Sequence, residues 1–265
     1  MESPPSPFEN IALALSGGGF RAAAYGLGTM TYLAQLPWRG KTLLEQVSFI
    51  SSTSGGSITN AFYTLRLYQG KPAQETFDEL YELLQGNKLL DTAVSQLDRP
   101  RIWKGYPHKH QNLINAFAIT YDKLLFDGKT LAEFWNPQGD PHVDEICINS
   151  TELNNGMSFR FRAGHRLRSS EYFGNRYLHF SESAIDKLQS LRIGDVVAAS
   201  SCFPLGFEPL IFPQDFHTGK DSPEELLKSV EMNHNNPLHL GAIWQKPFGL
   251  IDGGVVDNQG MYSFQ

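Results

Sequence analysis

Residues 49–59, FISSTSGGSIT, place four serines after a short apolar run and around a pair of glycines. Ser54 has small residues two positions before and two positions after it, Ser52 and Gly56. This is the G-x-S-x-G pattern of a nucleophile elbow, with serine in place of the first glycine. In the alternative interpretation Ser54 only caps the helix that follows, a position that serine favours. If Ser54 is a nucleophile, another residue must accept its proton.

A second small-residue turn lies near the start of the chain. The apolar run Ile11–Leu15 indicates a strand buried on both faces of a parallel sheet. It is followed by Gly17, Gly18 and Gly19, and then by a helical pattern that begins with Phe20-Arg21. Backbone N–H groups freed by such a turn, at the positive end of a helix, form an anion site. The site would suit either an oxyanion or a phosphate group, and a purely structural turn is the third interpretation.

The proton acceptor is the remaining problem. Asp252 follows the apolar run FGLI, at the C-terminal end of a predicted strand, where sites in parallel sheets gather. A carboxylate is a weak base unless it is partly desolvated and held against the hydroxyl. A serine–histidine arrangement would instead need an acid such as Asp195 with His234 or His239. The sequence contains eight histidines: His108, His110, His142, His165, His179, His217, His234 and His239.

The elements around these residues predict an α/β protein. Strand, glycine turn and helix occur in this order twice, because Val47–Ser51 leads through the serine stretch into a helix with apolar residues at i, i+3, i+4 and i+7. Residues 72–135 form a helix-rich insertion, in which Thr130 and Glu133 form a capping box. A strand hairpin follows at Glu145–Asn149 and Met157–Arg162.

Composition excludes several functions. Hydrophobic residues make up 41% and charged residues 19% of the chain, as in ordinary globular proteins, and the net charge of −6 disfavours nucleic acid as a partner. No run approaches the ~20 apolar residues of a membrane span. Cys147 and Cys202 lie in apolar segments, which predicts buried thiols in a reducing, cytoplasmic compartment. The basic and aromatic segment from Asp98 to His110 is predicted to be a solvated loop in preference to a membrane contact.

Three blocks in one order, LALSGGGFRAAAYGLG, STSGG and IDGGVVDNQG, resemble the signature blocks of patatin-like phospholipases and the related cytosolic phospholipase A2 group. RIGDVVAASSCFPLGFEPL is similar to the family segment that precedes the Asp-Gly-Gly strand. Ser52 and Ala22 depart from the family pattern, which has glycine at both positions.

The resemblance implies a serine–aspartate dyad without histidine. Ser54 would be the nucleophile and Asp252 the base, and the amides around Gly17, Gly18 and Gly19 would form the oxyanion hole. Arg21 would lie close by, where it would bind a head group or fix the loop. The implied fold is a three-layer α/β fold related to α/β-hydrolases, with a central, mostly parallel sheet flanked by helices.

The expected function is therefore that of a lipid acyl hydrolase acting on a phospholipid or lysophospholipid, with peripheral contact to a membrane surface. We expect no metal and no other cofactor. Residues 1–10 are expected to be a Pro-rich leader, residues 11–265 a single catalytic domain, and the natural chain is expected to continue further. The alternative function is a catalytically silent lipid- or phosphate-binding module of the same fold.

Overall fold

Strands and helices alternate along most of the chain. The computed structural model describes residues 7–167, 173–175, 178–180, 184–216, 223–228, 230–232 and 246–264. The strands are β1 Ile11–Leu15, β2 Pro37–Trp38, β3 Lys41–Thr42, β4 Val47–Thr53, β5 Glu145–Glu152, β6 Met157–Ala163, β7 Leu178–Phe180, β8 Leu210–Phe212, β9 Val230–Met232 and β10 Phe248–Asp252. The helices are α1 Gly19–Leu33, α2 Gly55–Tyr68, α3 Ala73–Leu84, α4 Lys88–Leu97, α5 Pro100–Trp103, α6 Leu113–Leu124, α7 Ile185–Gln189, α8 Ile193–Ser200, α9 Pro223–Lys228 and α10 Gly254–Asp257. Short 3-10 helices cover Leu44–Gln46, Leu131–Phe134 and Tyr262–Phe264.

A six-stranded mixed sheet forms the centre of the molecule. Its path is β1-β4-β5-β10-β8, and β6 also pairs with β5. The pairs β1–β4 and β4–β5 are parallel, whereas β6 and β10 run antiparallel to β5. The predicted α/β class, a central sheet flanked by helices, is confirmed. The prediction that β1 is buried on both faces was wrong, because β1 lies at an edge of this sheet and exposes Ala12.

The register of the sheet brings two strand ends together. β6 occupies one edge of β5 along nearly its whole length. β4 and β10 share the other edge of β5. Thr53 at the end of β4 pairs with Asn149, and Asp252 at the end of β10 pairs with Ser150. Since β4 is parallel and β10 antiparallel to β5, the two strands run toward each other and end at adjacent positions. The residues that follow these ends are therefore neighbours in space.

Two helices pack tightly against this point. In α2 every residue except Leu67 is buried. A Cβ atom at Gly56 would lie 2.5 Å from the carbonyl oxygen of Leu15, so only glycine lets α2 begin so close to β1. The Thr59 hydroxyl donates to the carbonyl of Ala23, 2.8 Å away, and joins α2 to α1.

The helix-rich segment 72–135 contains α3, α4, α5 and α6. The predicted capping box opens only a 3-10 helix, and the Thr130 side chain makes no capping hydrogen bond. The solvated-loop prediction for residues 98–110 was wrong for two side chains, because Trp103 is buried in the core and Lys109 is buried in an ion pair. The sequence Ser222-Pro-Glu-Glu225 also predicts a capped helix, and Ser222 lies outside the described residues. Within the described ranges, no helix combines the length and the hydrophobicity needed to cross a membrane.

Candidate active site

Ser54 occupies the turn between β4 and α2 in a backbone conformation that few residues adopt. Its φ is 52° and its ψ is −124°, and its side chain is almost buried. Positive φ costs energy for a residue with a Cβ and is found where the surrounding structure enforces it. A Cβ atom at Gly55 would lie 1.9 Å from the carbonyl oxygen of Gly19, so the two glycine turns touch directly after the serine. The sequence therefore folds here into the sharp strand-to-helix turn that the elbow pattern predicts.

The other three serines of the stretch face different surroundings. The Ser52 hydroxyl accepts a hydrogen bond from the side-chain amide of Asn60, 2.9 Å away. The Ser51 hydroxyl accepts one from a buried asparagine, and the Ser57 hydroxyl contacts that of Ser200 at 2.9 Å. All three are fully buried, and of the four serines Ser54 is the one that lines the apolar cavity described below. Ser54 is thus the serine that a substrate could reach.

Asp252 ends β10 next to Ser54. The residue is 5% exposed, and its Oδ1 accepts a hydrogen bond of 2.7 Å from the N–H of Gly254. Burial raises the pKa of this carboxyl, while the neighbouring Ser54 side chain and the hydrogen bond from the Gly254 amide oppose the rise. Desolvation makes a carboxylate a stronger base, and a hydroxyl held against it is the group that it can deprotonate.

The glycine turn before α1 supplies free backbone donors, but not the complete predicted set. The N–H of Gly17 donates to the carbonyl oxygen of Asn258 at 2.8 Å, so Gly17 does not serve as an oxyanion donor in this arrangement. Among the described residues, the N–H groups of Gly18, Gly19 and Gly55 have no acceptor, and all three residues line the cavity beside Ser54. Gly55, the residue after the serine, replaces Gly17 in the candidate oxyanion hole. The elbow pattern itself could have indicated Gly55.

Arg21 lies in the first turn of α1 and is exposed. It does not line the cavity, and within the part of the chain that the structure describes it makes no ion pair or side-chain hydrogen bond. The predicted contact that would fix the glycine loop is therefore not seen among these residues.

The cavity has a volume of about 750 Å³ and is lined mainly by apolar side chains. Ser54 and Asp252 lie in its wall together with Asn258, whose sequence block DNQG already pointed to this site. A cavity of this size is typical of small-molecule binding sites. A ligand bound in it would be largely shielded from water. The apolar lining comes from α1, α2, α6, α10 and the loop after α8: Phe20, Ile58, Phe117, Tyr121, Phe203, Pro204, Leu205, Phe207 and Val255.

The histidine-based alternative finds no support in the described residues. His234 and His239 lie outside them, as does His217. Asp195 is bonded to Lys109, with 2.7 Å between Oδ1 and Nζ. No histidine of the described ranges lines the cavity, and these ranges hold no cluster of three or more metal-ligating side chains.

A mixed sheet flanked by helices thus places a serine at a strained strand-to-helix turn, with a desolvated carboxylate beside it. The family model "Patatin-like phospholipase" matches residues 13–263. The chain therefore belongs to the patatin-like phospholipase family, as its sequence blocks suggest.

A solved structure agrees with this assignment at the level of the fold. Human GIVD cytosolic phospholipase A2 is similar with a TM-score of 0.60 and 13% identity, over 97% of this chain and 44% of that one. The chain thus spans less than half of that structure. VipD from Legionella pneumophila is matched with a TM-score of 0.41 and 15% identity, over 94% of this chain and 47% of that chain. No curated protein sequence matches this chain.

Proposed function

We propose that the protein is a lipid acyl hydrolase that cleaves carboxylic esters through an acyl-serine intermediate. The observation that supports this most strongly is that Ser54 and the desolvated Asp252 carboxylate lie together in the wall of an apolar cavity, where the Ser54 side chain lowers the pKa of that carboxyl. A nucleophile, a base and a water-poor binding space are the three parts that ester cleavage through a covalent intermediate requires.

The geometry suggests a sequence of proton transfers that uses one carboxylate throughout. Ser54 Oγ attacks the ester carbonyl carbon while Asp252 accepts the hydroxyl proton. The carbonyl oxygen becomes an oxyanion that the free amides of Gly18, Gly19 and Gly55 stabilise. As the tetrahedral intermediate collapses, the ester C–O bond breaks and protonated Asp252 gives its proton to the leaving alcohol. Asp252 then accepts a proton from a water molecule while the water oxygen attacks the acyl carbon. The bond between the acyl carbon and Ser54 Oγ breaks, Asp252 returns the proton to Oγ, and the fatty acid is released.

The lining of the cavity supports an acyl chain as the group bound beside Ser54. Phenylalanine, leucine and valine side chains from several elements offer apolar contact and few polar partners. We propose a phospholipid or lysophospholipid as the substrate, reached by contact with a lipid surface. The free, buried thiols of Cys147 and Cys202 support a reducing compartment such as the cytoplasm.

An ester hydrolysis assay tests the proposal. Wild type, Ser54→Ala and Asp252→Ala would be compared on medium-chain esters and on phospholipid vesicles, with Ser51→Ala as a buried-serine control. We expect hydrolysis by wild type and the control and a loss of at least about 1,000-fold in both dyad variants. Equal activity in wild type and the two dyad variants would refute the mechanism.

One observation favours the silent binding module as a second candidate. Arg21 is an exposed cation in the first turn of α1, one turn from the free amides of the glycine loop, and this combination suits an anionic head group. Labelling with a fluorophosphonate separates the two functions, because only an activated serine reacts with the probe.

A further inference from the structure

Ser200, the last residue of α8, is fully buried beneath Ser54. Its Oγ accepts the backbone N–H of Ser54 at 2.9 Å and donates to the carbonyl oxygen of Asn149 at 2.6 Å. Because the single hydroxyl hydrogen is used in that bond, the contact with Ser57 at 2.9 Å has the Ser57 hydroxyl as its donor. One donor and two acceptor sites are all that a serine hydroxyl has, so the capacity of Ser200 is completely used.

The backbone of Ser200 contacts the turn that follows Asp252. The N–H of Gly253, the residue after Asp252, donates to the carbonyl oxygen of Ser200 at 3.2 Å. The N–H of Asp252 itself donates to the carbonyl of Cys202 at 2.8 Å. The end of α8 therefore contacts both the nucleophile turn and the base turn, at Ser54 and Gly253, which directly follow the ends of β4 and β10.

The bond to Ser54 matters because of the conformation that Ser54 adopts. A serine at φ 52° persists only where its surroundings enforce that conformation. Ser200 Oγ is the acceptor that the structure provides for the Ser54 N–H. Loss of this acceptor would leave a buried N–H without a partner and allow the turn to relax away from Asp252.

We propose that Ser200 is a positioning residue that sets the distance between the Ser54 hydroxyl and the Asp252 carboxylate. The inference rests on the proposed function of the dyad and adds a residue to it. Ser200 does not touch the substrate, since it does not line the cavity. Its effect should appear in the reactivity of Ser54 and leave substrate binding unchanged.

Ser150 offers a closely matched control. It is also a fully buried serine at the same junction, and its Oγ contacts the carbonyl oxygens of Ile251 at 2.7 Å and Ala199 at 3.1 Å. It thus joins β5, β10 and α8 as Ser200 does, but its hydroxyl has no bond to Ser54. If the role of Ser200 were purely structural, Ser200→Ala and Ser150→Ala would have similar labelling rates and similar kcat values.

The test is the second-order rate of covalent labelling by a fluorophosphonate, measured with the thermal unfolding midpoint and the kcat and KM for an ester. For Ser200→Ala we expect labelling and kcat to fall by about 10- to 100-fold with KM unchanged, because small displacements of reacting groups cost this much. Ser150→Ala should remain within about threefold of wild type, as expected of a residue outside the reacting geometry. Ser200→Thr, which keeps the hydroxyl, should recover part of the rate.

Equal labelling rates in Ser200→Ala and Ser150→Ala would overturn the inference. A rise in KM with an unchanged kcat in Ser200→Ala would also overturn it. If Ser200→Ala does not fold, Ser57→Ala provides the test, because it removes one hydrogen bond to the Ser200 hydroxyl. Ser57→Ala should then be labelled more slowly than Ser150→Ala, and an equal rate would overturn the inference. A wild-type protein that does not label at all would refute the proposed function, which is a different result from equal rates in the variants.

Discussion

The buried carboxylates of Asp252 and Asp122 both have raised pKa values, and of these two Asp252 lies in the candidate active site. Burial raises the pKa of Asp252 beside Ser54. Burial, followed by the charge of nearby Asp195, raises the pKa of Asp122 on α6 to about 6. Asp252 faces a hydroxyl and an apolar cavity, whereas Asp122 lines no part of that cavity.

The surroundings of Asp122 are those of a structural charge cluster. The Lys109 ammonium lies 2.7 Å from Asp195 and 3.3 Å from the side-chain oxygen of Asn115, and it also donates to the carbonyl of Asp215. The side chains of Lys109 and Asp195 are 3% and 2% exposed. A raised carboxylate pKa therefore reports burial in both places. Function additionally needs a nucleophile to deprotonate and space for a substrate, which only Asp252 has.

The largest expected effect separates the two carboxylates by activity. Asp252→Asn keeps the shape of the side chain and removes the base, so we expect kcat for ester hydrolysis to fall by at least about 1,000-fold. Asp122→Asn should leave kcat within about threefold of wild type, because its carboxylate is outside the reacting geometry. The comparison fails if Asp122→Asn lowers kcat as much as Asp252→Asn does.

A second prediction concerns the stability that the charge cluster controls. Lys109→Met removes the cation and leaves the Asp195 carboxylate buried without it, which should cost about 3–5 kcal/mol of unfolding free energy. Urea denaturation with far-UV circular dichroism measures this difference. Ser54→Ala, by contrast, should change the unfolding free energy by less than about 1 kcal/mol, since it removes one hydroxyl at a strained turn. Similar stability losses in the two variants would contradict the division into structural and functional clusters.

The smallest effect is a pH dependence of stability from Asp122. Because its folded pKa of about 6 lies above the value of an unfolded aspartate, the folded state binds the proton more tightly. The associated stability is present below about pH 4 and is lost as the pH rises through about 6. The unfolding free energy of Asp122→Asn relative to wild type should therefore increase between pH 4 and pH 7. A difference that stays constant over this range would show that Asp122 titrates normally.

The sequence predicted the turns that carry Ser54 and Asp252 better than it predicted the structure around them. These turns could be predicted because turn chemistry is local and needs small residues at fixed spacing. The antiparallel direction of β10 could not, since strand pairing depends on contacts far apart in the chain. For the same reason Gly17 was placed in the oxyanion hole, although its N–H is taken by Asn258. The burial of Lys109 depends on Asp195, 86 residues later, and nothing local in the segment 98–110 indicates it.

The proposed mechanism makes Ser54 a nucleophile whose base is Asp252, without a histidine. It can be tested by labelling wild type and Asp252→Asn with a fluorophosphonate and mapping the adduct by peptide mass spectrometry. We expect an adduct on Ser54 in wild type and a labelling rate reduced by at least about 100-fold in Asp252→Asn. An adduct on another residue, or an unchanged rate in Asp252→Asn, would contradict it.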